Sequence, residues 1–264
     1  PPADAMHIID HSESKLLAIN ANLWSNMRPE GIPLVSTILD FQEGHILHGT
    51  PEAIQQFADA KANHKAQYPT GMRPEDVSYY HTPNEELLVL NYTSGTTGKS
   101  KGVMLHHSNF IEQLYAHQLK YPFITNRDVS MCFLPLNHIL EKAWSYLCLS
   151  MGCQVAVLSD PKRILEALPM VRPSMMGNVP RFWEKVYIGV QDKINRSPKP
   201  LRYVLRHAIQ VGGRYFFDFV NEGKKAPLFL KLLYKLYDKT LFAKVKKAIG
   251  IQRGRFFPTA GASV

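Results

Sequence analysis

Leu87-Leu88-Val89-Leu90-Asn91-Tyr92 runs without a break into Thr93-Ser94-Gly95-Thr96-Thr97-Gly98-Lys99-Ser100-Lys101-Gly102. The first half is a continuous apolar run, the pattern of a buried strand. The second half changes character completely. Its three glycines permit backbone turns barred to other residues and leave amide N–H groups exposed. Three threonines and two serines add hydroxyl donors, and Lys99 and Lys101 add positive charge. A donor-rich loop after a buried strand suits a polyphosphate. Each charge-assisted hydrogen bond to phosphate contributes about 1.5–3 kcal/mol. An ordinary Gly/Ser/Thr surface loop is the plain alternative, and the density of donors speaks against it.

Working outward, residues 103–105 read as a short strand and a helix follows from about Ser108, with Ser108 as its N-cap. Residues 129–134 look like another buried strand, 139–151 a helix, 153–158 a strand, 160–168 a helix, 174–177 an extended segment and 181–194 a helix. Upstream, 15–20 and 34–41 read as strands and 51–64 as a helix opened by Pro51. Residues 65–84 are polar and punctuated by Pro69, Gly71, Pro74 and Pro83, the mark of a loop. Strands alternating with helices predict an α/β fold with mostly parallel layered sheets flanked by helices. Residues 199–219 and 228–249 read as helices with interleaved aromatics. In the second, Lys231, Lys235 and Lys239 fall at i,i+4 spacing opposite Phe229, Leu232, Leu233 and Leu236, predicting an amphipathic helix with a basic face.

The 264 residues are 45% apolar, ample for a core, so disorder is not the default. No stretch approaches the ~18 apolar residues of a membrane span, and the first residues lack a signal-peptide pattern. Starting at Pro1-Pro2, the sequence reads as an internal piece of a longer product. Cys132, Cys148 and Cys153 form no CxxC pair, which favours buried, reduced thiols and a cytoplasmic setting over a disulfide framework or zinc site. The net charge of +9 is lopsided: residues 1–180 carry 13 Lys/Arg and 17 Asp/Glu, residues 181–264 carry 18 and 5. A basic half of this kind suits an anionic lipid surface or polyphosphate, or is simply a set of solvated lysine faces. No recognition motif accompanies the charge, so no nucleic-acid role is expected.

Two phosphate-binding designs compete for the glycine loop. Gly98-Lys99-Ser100 looks like the end of a G-x-x-x-x-G-K-[ST] loop, but that pattern needs Gly where Thr93 stands. It also needs a helix directly after the Lys-Ser pair, whereas Lys101-Gly102-Val103-Met104-Leu105 favours a strand. Tyr92 to Gly102 instead closely resembles the phosphate loop of the adenylate-forming superfamily, which includes acyl-CoA synthetases, luciferases and adenylation domains. It departs at Ser100, where that family usually has Pro, and it keeps the family's lysine as Lys101. Phe133 to Glu141 (FLPLNHILE), Pro180 to Tyr187 (PRFWEKVY) and Arg255 to Ala262 (RFFPTAGA) resemble, in family order, segments of long-chain acyl-CoA synthetases.

The resemblance implies part of the large N-terminal, AMP-binding domain of an adenylate-forming enzyme. It implies lead-in strands, helix and linker over 1–84, a phosphate-loop core over 85–180 and a basic helical segment over 181–264, with the C-terminal domain and main catalytic lysine absent. It implies a long-chain fatty acid–CoA ligase that uses ATP and Mg2+ to form acyl-AMP and then a thioester with coenzyme A; alone, this piece is expected to be inactive. Ser94, Gly95, Thr96, Thr97, Gly98 and Lys101 would hold the β- and γ-phosphates, and Thr93 would approach the metal as well as the nucleotide. His138 would line the acyl channel, with a helix-start histidine satisfied by backbone as the alternative. Gly261 and Ala262 would border the adenine or acyl pocket, with a plain tight turn as the alternative. Glu141 reads as a first-turn acid on the helix dipole. Residues 199–249 suggest peripheral contact with the inner face of a membrane. The competing readings are a ligase for another carboxylate and a non-catalytic nucleotide- or membrane-binding module.

Overall fold

The computed structural model describes residues 2–27, 35, 37–79, 81–93 and 100–261. The chain divides into two units, residues 1–111 and 112–264.

In the first unit, α1 (Pro2–His11) leads to β1 (Leu16–Ile19), α2 (Ala21–Met27), β2 (Thr37–Asp40) and β3 (His45–Gly49). β1 pairs parallel with β2, and β2 antiparallel with β3. Ile9, Ile19, Val35 and Ile38 form the buried core of these elements. α3 (Pro51–Gln67) opens as its sequence dictates: the Thr50 hydroxyl accepts the Ala53 N–H, and Pro51 occupies a position whose N–H would be orphaned anyway. β4 (Leu87–Thr93) and β5 (Lys101–His106) form an antiparallel pair, followed directly by α4 (His107–Lys120).

Two expectations are corrected here. β4 exists but is not the buried strand expected: Leu87 and Leu88 are exposed, and only Asn91 in it is buried. Pairing with β5 satisfies its backbone, but two strands have too little area to enclose both faces of an apolar run. Among the described residues, β1–β2 pairs parallel while β2–β3 and β4–β5 pair antiparallel, and the second unit's sheet is parallel throughout, in keeping with the α/β layering expected. α4 starts at His107 rather than being capped by Ser108; the His106 N–H is taken by the Asn109 side chain and the Ser108 N–H by the Asn84 carbonyl.

The second unit has the layered form expected. β6 (Val129–Cys132) is followed by α5 (Ile139–Ser150) and β7 (Gln154–Val157), which returns parallel to β6. α6 (Ile164–Val171) leads to an extended segment, 174–178, that bridges in parallel to β6 through Ser130 and Met175. α7 (Pro180–Asn195), α8 (Lys199–Gly213), α9 (Leu228–Tyr237) and α10 (Ala243–Ile249) then lead to a fourth parallel segment. That segment joins the third through Met175–Phe256 and Asn178–Thr259. In chain order the strands run 2-1-3-4 across the sheet. Both faces are covered. Met175 packs with Trp144, Leu147 and Cys148 of α5 on one side, and Met176 packs with Ile164, Leu168 and Phe182 of α6 and α7 on the other. Adjacent residues facing opposite cores is what a period-2 strand between two helical layers requires.

All three cysteines are buried and free, and burial pushes the Cys148 thiol up to about 12. Gly250, at φ +92, ends α10 where any Cβ would run into the Leu168–Pro169 backbone. The basic helices depart from simple amphipathic form. π-helical stretches at Arg214–Val220 and Asp238–Phe242 interrupt them. α9 packs through the Tyr234 ring stacked on Tyr215 at 4.3 Å and the Tyr237 hydroxyl bonded to His207 at 2.8 Å. That turns Phe229, Leu232 and Leu236 outward with the lysines, instead of burying them opposite.

Candidate functional site

The hairpin geometry in the first unit follows from its register. Thr93 and Lys101 are cross-strand partners, so the two side chains that close the glycine loop leave the same face of the pair. Lys101 and Thr93 are both exposed. Ser94, Gly95, Thr96, Thr97 and Gly98 lie outside the described residues, as does Ala262. One residue further along the pair, Tyr92 faces Gly102, where a Cβ would come within 3.2 Å of the tyrosine ring.

The base of this loop has a support that sequence reading missed. On α1, His7 and His11 stand one helical turn apart, with ring centroids 5.5 Å from each other. His11 Nδ1 and the Tyr92 hydroxyl share a 2.9 Å hydrogen bond, and His7 Nε2 donates to the Ser100 carbonyl at 3.4 Å. The i,i+4 histidine spacing was visible; the partner, 81 positions away, was not.

In the second unit, the predicted residues gather at one edge of the parallel sheet. Ligands of open parallel sheets bind beyond the carboxyl ends of the strands, at the point where strand order reverses. Here that point lies between β6 and the 174–178 segment. His138 belongs to the loop leaving β6; α7 starts just after the 174–178 segment, with Pro180 in its first turn; Gly261 follows the fourth segment. His138 is the N-cap of α5, its Nδ1 accepting the Leu140 N–H at 3.3 Å, with the rest of the side chain exposed. Gly261 has φ +99, a turn that favours glycine, and a Cβ there would sit 3.9 Å from Val179.

Glu141 is almost wholly buried in the first turn of α5, where it braces the loop that carries His138. Its carboxylate accepts the Leu134 N–H at 3.2 Å and the Ser145 hydroxyl at 3.3 Å. Burial pushes this carboxyl above the usual range, against the pull of those hydrogen bonds.

A second buried group holds the same edge together. Asn178 is fully buried; its Oδ1 accepts the Thr259 hydroxyl at 2.7 Å, and Thr259 in turn accepts the Trp183 indole N–H at 3.1 Å. This chain fixes the third and fourth segments and the first turn of α7 relative to one another, just before Gly261. None of the three was singled out from sequence as a site residue. At the opposite, amino edge, Asp128 takes the Thr125 N–H, the Ser174 hydroxyl and the Arg255 guanidinium. Burial raises the Asp128 carboxyl, but Ser174, Thr125 and Arg255 outweigh it and hold it below the usual range. The sheet is therefore held at both ends, by Asp128 at the amino edge and by the Asn178–Thr259–Trp183 chain at the carboxyl edge.

Residues 1–215 match the family described as AMP-binding enzyme. The chain belongs to the AMP-binding enzyme family. Among curated relatives, it is 32% identical over 184 residues to the peroxisomal long chain acyl-CoA synthetase 6 of Arabidopsis thaliana, covering 68% of this chain and 24% of that one. It is 38% identical over 182 residues to a putative fatty-acid–CoA ligase of Mycobacterium tuberculosis, covering 68% and 32%. The chain thus spans a quarter to a third of the length of these AMP-binding relatives. Among solved structures, a long-chain-fatty-acid–CoA ligase from Archaeoglobus fulgidus superposes with a TM-score of 0.52 at 20% identity, over 74% of this chain and 35% of that one. That likeness bears out the α/β fold expected of an AMP-binding domain.

Proposed function

We propose that this chain is the phosphate-gripping part of an enzyme that activates a long-chain fatty acid with ATP and transfers the acyl group to coenzyme A. The observation that carries the reading is the register placing Thr93 opposite Lys101 across the mouth of the glycine loop. Family membership and the names of the relatives support the reaction and substrate class.

A carboxylate is a poor electrophile because its oxygens share a negative charge and neither leaves. In the first step a carboxylate oxygen attacks the α-phosphorus of ATP, giving acyl-AMP and pyrophosphate. In the second, the coenzyme A thiol attacks the acyl carbon, AMP departs with the electrons of the C–O bond, and the thiol proton passes to water. The amides and hydroxyls of residues 94–98, with Lys101, would hold the β- and γ-phosphates and offset charge gathering on the departing pyrophosphate. Among the described residues no cluster of three or more His, Cys, Asp or Glu could hold a metal. Mg2+ would instead arrive on the phosphates, with the Thr93 hydroxyl as a hard oxygen donor suited to it. His138 would approach the acyl carboxylate, and Gly261 with Ala262 would let the nucleotide or acyl chain pass close to backbone.

Replacing Lys101 by Ala in the full-length polypeptide should slow fatty-acid-dependent ATP–pyrophosphate exchange by about 2–4 kcal/mol, roughly 30- to 1,000-fold. Unchanged exchange would refute the assignment. Outward-facing Leu228, Phe229, Leu232 and Leu236, interleaved with Lys231, Lys235 and Lys239, support peripheral contact with the anionic cytoplasmic face of a membrane. Among the described residues no helix is long and apolar enough to cross one. Co-sedimentation with anionic but not neutral vesicles tests this contact, and equal binding to both sinks the electrostatic part.

A further inference from the structure

The second unit has a groove between α7, α8 and α10, flanked by Leu165 of α6 and the π-helical turn at Asp238–Phe242. Its volume is about 490 Å³, within the ~300–1,000 Å³ of small-molecule sites. The walls are mostly aliphatic, with Val186, Val190, Leu205 and Ile209 typical of them and Phe242 the aromatic exception. Apart from Ser197, the polar side chains that line it are Lys185, Lys193 and Lys244; no Asp or Glu does. α7 sorts its charges to this effect. Its acids Glu184 and Asp192 immediately precede Lys185 and Lys193 in sequence yet stay out of the lining. None of the three lysines makes an ion pair among the described residues.

Gly189 is an independent observation. It lies midway between Lys185 and Lys193 on the groove face of α7, where glycine weakens a helix. Its φ is not positive, and a Cβ added there would meet nothing within 4 Å, so neither backbone nor packing requires it. What the missing side chain leaves is room in the groove.

We propose that this groove binds one free long-chain fatty carboxylate, its hydrocarbon chain along α7 past Gly189 and its carboxylate at the lysine rim. Aliphatic walls match a methylene chain, and unpaired ammonium groups with no acid among them match a single negative charge. Neither His138 nor Gly261 lines the groove, so occupancy does not depend on the activation chemistry proposed above.

The test is titration of the purified chain with [1-13C]palmitate, followed by the carboxyl resonance. One palmitate should bind, Gly189→Phe should weaken it by at least roughly tenfold by filling the groove, and Gly189→Ala should bind as before and melt higher. Lys185→Gln, Lys193→Gln and Lys244→Gln identify the rim position, the responsible one losing about 2- to 10-fold. If Gly189→Phe fails to fold, the Lys185→Glu/Lys193→Glu/Lys244→Glu triple variant decides: lost binding supports the groove and retained binding overturns it. No palmitate bound also overturns it. So does binding that survives Gly189→Phe but disappears in His138→Ala, which would assign the fatty acid to the carboxyl edge alone. Pyrophosphate exchange in Lys101→Ala reads the activation site separately, so either idea can fail without the other.

Discussion

β4 and β6 make an instructive pair. By sequence β4, with LLVLNYT, is the more apolar strand and β6, with VSMC, the more mixed one. In the fold their burial is reversed: Leu87 and Leu88 are exposed, whereas Ser130, Met131 and Cys132 are all buried. β6 is enclosed because helices cover both faces of its sheet and because its polar member is paired, the Ser130 hydroxyl accepting the Trp144 indole N–H at 3.0 Å. β4 has one partner strand among the described residues, and no helical layers like those that enclose β6 cover both its faces. Hydrophobicity sets how readily a strand is buried; the layers around it set whether it is.

The contrast can be broken by mutation. Leu168→Ala, in the core on one face of β6, should cost about 2–5 kcal/mol in chemical denaturation, because Leu168 is fully buried in a packed cluster. A loss below 1 kcal/mol would mean the second unit is loosely packed.

Asp128→Asn should cost roughly 1–2 kcal/mol near neutral pH, the ion-pair share discounted because Arg255 is half exposed. Its pH dependence sharpens the point. A carboxyl held below its usual 3.8 stabilises the fold above that value and loses the contribution as pH falls through the folded-state value. The variant should therefore lose part of the wild-type acid limb in thermal melts, and an identical acid limb contradicts the staple.

Glu141 runs the other way. Its carboxyl is raised above the usual 4.5, so its contribution is fullest below that value and declines as pH rises through the folded-state value. Glu141→Gln keeps an acceptor for the Leu134 N–H, so it should change stability by less than about 1 kcal/mol. The variant should gain on wild type as pH rises from 4 to 8; a widening deficit over that range rejects the assignment. The smallest effect belongs to β4, where Leu88→Ala should fall within about 0.5–1 kcal/mol of wild type, since its side chain is already partly solvated. A loss matching Leu168→Ala would show that β4 is covered after all.

Much of the second unit was legible in the sequence. Val129 to Leu134, Ile139 to Met151, Cys153 to Leu158 and Arg181 to Ile194 each signal their element by length, period and flanking Gly or Pro, and each forms within a few residues of its expected ends. His138 could be placed at a helix start, and its capping bond to Leu140 was one of two readings the sequence left open. The Asn178–Thr259–Trp183 chain was not legible, because its members are 76 and 81 positions apart and each is unremarkable in its own window. The same holds for His11 on Tyr92. Hydrogen-bond partners brought together by sheet order leave no local periodicity to read.

The sequence by itself determined the glycine loop, its lysine, the alternation of strand and helix, and membership of a nucleotide-binding family, since these depend on residue types at short spacing. Only the tertiary structure decided that Thr93 stands opposite Lys101, that β4 stays exposed while β6 is enclosed, that one edge of the parallel sheet is stapled by Asp128, and that α7 turns Gly189 and its lysines toward a groove. Pair register, layer cover and groove lining depend on which distant segments pack together, and that is a property of the whole fold.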